Sequence, residues 1–292
     1  MKAGLILAFL AALVLPLTLP AAQGSPARVV IALKPDKDPE LMAQERKSLS
    51  AYLSERLGKP VDVIIPLTSA VILEGLANGT VDLGYLSATD MVNARKIGAA
   101  DLLLAGEING KPSYPSYWVA LKDKPYTKVE DLRGKPVAFA SRTSTSGYVI
   151  PMWDLKQKGL VATANAEEFF GRNHVIYGTG YVSAIERVLS GEAEAAAVSY
   201  YVLDEDKHLT AEQRGRLKRI ATQGPVPTHV IAVRASLSPA DRASLKAALE
   251  TLNAPENHAL RDRLFTSKLI SVDADTHLGG LRAALEFLSN AR

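Results

Sequence analysis

A strand–helix–strand grammar punctuated by glycine constrains this chain more than any other feature. Arg28–Leu33 (RVVIAL) is a β-branched run that reads as a strand, and Glu40–Leu57 carries Leu41, Leu49, Leu53 and Leu57 at helical spacing before stopping at Gly58. A strand at Val61–Ile65, a helix at about Ala70–Ala77 closed by Asn78-Gly79, and a strand at Val81–Leu86 follow. The same alternation returns at Pro136–Ala140, Gly147–Lys158, Val175–Tyr177, Val182–Leu189 and Ala193–Ser199. Alternation of this kind predicts α/β architecture, with mostly parallel sheets flanked by helices.

The segments Ser69–Asp82 and Tyr181–Glu194 share one pattern: polar entry, amphipathic helix, glycine stop, strand. Two lobes of like construction would produce it, and so would any two unrelated α/β units. Tyr117–Lys122 (YWVALK) and Val230–Val233 (VIAV) read as the extended crossovers of a two-strand hinge. The resulting division is residues 25–116 plus 225–292 for lobe 1 and 117–224 for lobe 2. Ser238-Pro239-Ala240-Asp241 marks a helix start, with Leu245, Leu249 and Leu252 packing on lobe 1, and Leu278–Leu288 is a further amphipathic helix.

Residues 1–24 combine Lys2, an apolar run from Leu5 to Leu19 and the small-residue stretch from Ala21, which is the pattern of a signal peptide cleaved after Gly24. A membrane anchor is the alternative, opposed by Pro16, Pro20 and the missing basic stop-transfer cluster. Without cysteine there is neither a lipid-bearing N-terminal residue nor a disulfide framework, so a freely diffusing periplasmic protein is expected. Its 34 basic residues, one of them in the leader, nearly balance 31 acidic ones, which argues against a nucleic-acid surface. The cluster Arg214-Arg216-Lys218-Arg219 reads as the solvated face and end of a helix.

Chemistry concentrates in Ser141–Pro151 (SRTSTSGYVIP), where a strand ends, five hydroxyl residues fall within six positions and a helix opens near Gly147. The first amides of a helix lack intrahelical partners and sit at the positive end of its dipole, so an anion suits them. Plain capping needs one hydroxyl, whereas Ser144, Thr145 and Ser146 supply three before a glycine that permits close approach. Tyr85 and Ser87 end one strand and Ser199-Tyr200 another, where ligands of open α/β sheets gather. For Tyr85 and Tyr200 a plain sheet-covering role stays open, and an arginine placed like Arg142 more often faces water than binds a ligand.

The stretch Ser144-Thr145-Ser146-Gly147-Tyr148-Val149-Ile150-Pro151 resembles the STSGY-x-x-P motif of periplasmic phosphonate and phosphite binding proteins. Tyr117-Trp118, Asp131–Lys135, Phe169-Phe170 and Gly191 before Glu194 extend the likeness over nearly the whole mature chain. The resemblance implies a two-lobed, type II-like periplasmic-binding-protein fold whose Ser144, Thr145, Ser146 and Gly147 grip an oxyanion. Ser69 stands where the family usually has a tyrosine and Tyr181 where it has a histidine, while Tyr201 and His229 stand where aminophosphonate binders place acids. A ligand amine would lack its counter-charge there, so phosphite, phosphate or a simple phosphonate is expected. The expected partners are that ligand and an ABC-transporter permease, for a monomer without cofactor or metal. A sensing subunit for a membrane histidine kinase would share the fold. An enzyme is disfavoured, because the five histidines have no metal-binding helical spacing and no activated-serine motif occurs.

Overall fold

The computed structural model of the protein describes residues 25–34, 39–205, 208–265 and 268–290; the expected signal peptide lies outside these residues. The first half runs β1 (Val29–Ala32), α1 (Pro39–Leu57), β2 (Val61–Ile64), α2 (Ser69–Asn78), β3 (Leu83–Leu86), α3 (Ala88–Lys96) and β4 (Ala100–Glu107). The chain then passes through β5 (Ser113–Leu121), β6 (Val137–Phe139), α4 (Ile150–Gln157), α5 (Glu167–Phe170), β7 (Val175–Tyr177), α6 (Tyr181–Leu189), β8 (Ala195–Ser199), α7 (Tyr201–Asp204), α8 (Ala211–Gly215) and β9 (Leu217–Pro227). It returns through β10 (Val230–Arg234), α9 (Pro239–Glu250), α10 (His258–Leu264), β11 (Lys268–Ile270) and α11 (Ala274–Ser289).

These strands form two sheets, ordered β11-β4-β10-β3-β1-β2 and β7-β6-β8-β5-β9. Each is mixed rather than mostly parallel. In each, a parallel trio (β2-β1-β3 and β7-β6-β8) is joined at its third strand by an antiparallel one, β10 or β5. The two similar sequence segments occupy equivalent places in these trios. Gly79 (φ 82°) and Gly191 (φ 80°) both end their helices in the left-handed region, and Val81 N–H to Gly75 O (3.0 Å) matches Ala193 N–H to Arg187 O (2.9 Å).

The crossings between sheets lie at residues 108–112 and 228–229, not at Tyr117–Lys122 or Val230–Val233. Those two apolar runs are interior strands, β5 between β8 and β9 and β10 between β3 and β4, because buried backbone needs ladder partners on both sides. Thr228, 1 % exposed, joins the two crossings: its hydroxyl reaches Gly106 O (2.7 Å) and Pro112 O (3.1 Å), its N–H donates to Pro112 O (3.2 Å), and Gly106 N–H donates to His229 O (2.9 Å).

One face of the first sheet packs on Leu49 and Leu53 of α1 and on Leu245 and Leu249 of α9, whose cap is Ser238 accepting from Asp241 N–H (3.1 Å). One face of the second sheet packs on Ile185 and Val188 of α6. The remaining core runs from α2 and α3 through Trp118, Phe139 and Phe170 to Leu278 and Leu281 of α11. The C-terminal helix therefore does not belong to the first lobe alone. It meets α3 through Arg95–Asp275 (3.0 Å) and α4 through Trp153–Phe287, with ring centroids 6.0 Å apart. In the basic cluster, α8 ends at Gly215, and Lys218 and Arg219 lie on β9 instead of on a helix face.

Candidate functional site

In both sheets the carboxyl ends of the parallel strands point to one crevice, the place where an open α/β sheet presents loops to a ligand. From β1 the chain leads to Lys34, from β3 to Ser87, from β6 to the Ser-Thr-Ser-Gly turn and from β8 to Tyr200. Thr145–Val149 form a wide π-helical turn before α4, with Val149 N–H bonded five residues back to Ser144 O (3.0 Å). Ser144 Oγ caps it by accepting from Gly147 N–H (3.0 Å). The amides of Thr145 and Ser146 have no acceptor among the described residues, although Thr145 is 8 % exposed and Ser146 fully buried. Buried N–H groups are seldom left so, and these two are donors available to a guest.

Gly147 is required by space. A Cβ there would stand 2.5 Å from Ala140 Cβ, 2.8 Å from Ser144 Oγ and 3.2 Å from Tyr181 Cε1. Tyr181, the first residue of α6, packs against the turn, with its hydroxyl 2.6 Å from Ser146 Oγ and 3.4 Å from Ser144 Oγ. Behind the turn, buried Ser116 of β5 donates to Ser146 O (2.5 Å) and accepts from Gln223 Nε2 (2.9 Å), fixing the turn to the second sheet.

Tyr114 of β5 was not singled out in the sequence, yet it is central. Its buried phenol lies near the Ser146 hydroxyl and the phenols of Tyr181, Tyr85 and Tyr200. Burial above all, reinforced by Tyr181, pushes its pKa above the ordinary phenol range, so it stays a protonated donor. Tyr85, 3 % exposed, packs against His229 with ring centroids 5.4 Å apart. Burial, with Lys34 nearby, holds the His229 ring down to about 3, so at neutral pH it is an uncharged imidazole. Thr89, also unflagged, reaches across from α3 to place its Oγ1 2.7 Å from Thr145 Oγ1, so the two lobes meet hydroxyl to hydroxyl.

The structure thus brings together Ser144, Thr145, Ser146, Gly147 and Tyr181, with Tyr85 and His229 linked to them through Tyr114. The other sequence candidates stand farther out. Ser87 is occupied as the cap of α3, accepting from Asp90 N–H (3.1 Å) and donating to Asp90 Oδ2 (2.7 Å). Ser69 opens α2 half-buried at the crevice rim, with no hydrogen bond to the turn. Tyr201 meets the site through the rings of Tyr181 and Tyr200, at 5.6 and 5.8 Å between centroids. Arg142 leaves the turn altogether and stacks on Tyr177, its guanidinium carbon 3.8 Å from the ring centre. A carboxylate stands one ring outward, where Glu205 accepts from the Tyr200 hydroxyl (3.1 Å). Among the described residues no group of three or more acidic, His or Cys side chains could hold a metal ion.

A cradle of neutral donors (amides, alcohols and phenols) suits an oxyanion. Residues 31–277 match the family described as ABC transporter, phosphonate, periplasmic substrate-binding protein. The chain is a member of this family of periplasmic substrate-binding proteins. It is a binding component of transport, not an enzyme, and no helix among the described residues is long and apolar enough to cross a membrane. It is 25 % identical over 223 residues to the phosphate-import protein PhnD of Mycolicibacterium smegmatis, covering 75 % of this chain and 70 % of that one. XAC2383 of Xanthomonas citri, solved with chloride, superposes with a TM-score of 0.76 at 20 % identity over 91 % of this chain and 99 % of its own. PhnD1 of Prochlorococcus marinus, solved with methylphosphonate, gives 0.72 at 16 % identity over 91 % and 99 %. The family works with an ABC permease, and neither it nor these relatives lend support to the sensing alternative.

Proposed function

We propose that the protein captures a small phosphorus oxyanion (phosphite, phosphate or a simple phosphonate) between its lobes and delivers it to an ABC importer as a monomer, after export by its leader. The reading rests on the two unpartnered amides of Thr145 and Ser146, which open beside the hydroxyls of Ser146, Tyr181 and Tyr114. Hydrogen bonds to a charged group contribute about 1.5–3 kcal/mol each, and micromolar affinity needs about 8 kcal/mol, so some three to five such donors suffice. The turn and Tyr181 supply most of them. Tyr85 and His229 face the ligand from the first lobe, Ser69, Ser87 and Tyr201 form the outer rim, and ligand bridging the lobes stabilises the closed form.

The family match and the two relatives named for phosphate import and methylphosphonate support this chemistry. The neutral His229 and the Glu205 carboxylate engaged by Tyr200 leave a ligand ammonium without a free counter-charge at the turn. Calorimetry with phosphite, phosphate, methylphosphonate and 2-aminoethylphosphonate tests the reading. Binding is expected for at least one of the first three and weakest for the last. Tight binding of 2-aminoethylphosphonate alone would overturn the assignment.

A further inference from the structure

A second cavity, of about 900 Å³, opens on the other side of the Thr89–Thr145 contact. Four segments enclose it: α3, α11, the chain at Arg142-Thr143 with the end of the oxyanion turn at Tyr148-Val149, and Ala164-Asn165 before α5. Its floor is apolar, with Val92, Tyr148, Leu278 and Leu285. Its walls are cationic: Arg95 and Lys96 come from α3, Arg142 from the loop after β6, and Arg282 from α11.

These cations are only half cancelled locally. Arg95 and Arg282 share one carboxylate, that of Asp275, at 3.0 and 3.5 Å, and Glu286 is the acidic residue of the lining. Among the described residues Lys96 and Arg142 have no ion-pair partner, and Arg142 is held in place by its stack on Tyr177. Four cations against two carboxylates leave a net positive charge around one concavity, which raises its potential and favours an anion there, and guanidinium groups suit phosphate oxygens in particular. The volume is that of a small-molecule pocket, and the apolar floor asks for a body as well as a charge.

We propose that this cavity is a second binding site, for an organic phosphate monoester with an apolar body. Because its walls come from α3 on one side and from the segment leaving β6 on the other, with α11 spanning them, an occupant fixes the position of one lobe against the other. It therefore couples to the oxyanion site through closure, although the site itself does not depend on which oxyanion the turn takes.

Phenyl phosphate is a suitable probe, with phenol as the uncharged control, followed by calorimetry and by the emission of Trp153, which packs beside α11 on Phe287. Wild-type protein is expected to bind phenyl phosphate but not phenol. The double variant K96E/R282E, altered at two exposed positions away from the oxyanion turn, is expected to weaken that binding by at least about tenfold. It should leave the thermal melt and the affinity for methylphosphonate or phosphate unchanged. No binding of phenyl phosphate, equal binding of phenol, or an affinity for phenyl phosphate untouched in the double variant would each overturn the proposal. Loss in the double variant would uphold it even if no simple oxyanion bound the turn.

Discussion

Replacing Gly147 with alanine adds one methyl group at the most crowded point of the oxyanion turn. Its backbone conformation is not of the left-handed kind that favours glycine, so the effect is purely one of space. The added carbon would lie 2.5 Å from Ala140 Cβ, about 1 Å inside ordinary contact, and Ala140 is anchored by its own N–H to Gly147 O (3.1 Å). The turn has to lift from the strand or Tyr181 has to leave its face, and either movement disturbs the 2.6 Å contact between Tyr181 and Ser146. Overpacking of this kind costs about 1–3 kcal/mol of stability. Misplacing one or two charge-accepting donors costs about 1.5–3 kcal/mol each, or roughly 10- to 100-fold in Kd for the first. Calorimetry with the best-bound oxyanion, alongside a urea melt, measures both. Gly180→Ala is the control, because nothing lies within 4 Å of a Cβ at that position although it adjoins Tyr181. Equal affinities for wild type, Gly147→Ala and Gly180→Ala would refute the placement of the guest on this turn.

Tyr114→Phe keeps the ring and removes the phenol that lies beside Ser146, so oxyanion affinity should fall about tenfold or more in calorimetry while the melt stays nearly unchanged. Asp82→Ala removes the acceptor of both Arg234 Nε (2.7 Å) and Val30 N–H (2.8 Å) in the first lobe; the half-buried guanidinium, left with Ser236 Oγ (2.6 Å), should cost about 3 kcal/mol in urea unfolding. For His229 the folded pKa of about 3 lies below the ordinary 6.5, so the unfolded chain takes up the proton first as pH falls. Its contribution is complete above about pH 6.5 and is lost toward pH 3, at up to about 1.4 kcal/mol per pH unit. His277, also depressed by burial, acts in the same direction, and His229→Asn should flatten the measured slope between those limits.

Much of this was legible because it is local. The glycine-stopped helices α2 and α6, their following strands and the hydroxyl-rich turn all announce themselves in runs of a dozen residues or fewer. What escaped depends on distance or on irregularity. Helix α3 buries Ala88, Thr89, Met91 and Ala94, side chains mostly too small to draw an apolar stripe, and β4 after it was passed over with it. Tyr114 shares the face of β5 with Trp118, opposite Tyr117, but its neighbours Ser146, Tyr181 and Tyr85 come from other elements, and no pattern within β5 announces them. The Thr89–Thr145 contact joins residues 56 positions apart, and no pattern within either segment foretells it. The crossings were misread because buried interior strands and extended linkers are equally apolar when seen as sequence.

The Thr228 stitch determines how such a molecule can bend. With one threonine bonded to carbonyls at both ends of the 106–112 passage, the two connecting segments cannot twist independently. A rotation of one half against the other is therefore expected to turn both segments together, as a door turns on its pin. Guests of different bulk are then expected to stop that door at different angles while the same edge of the molecule faces outward.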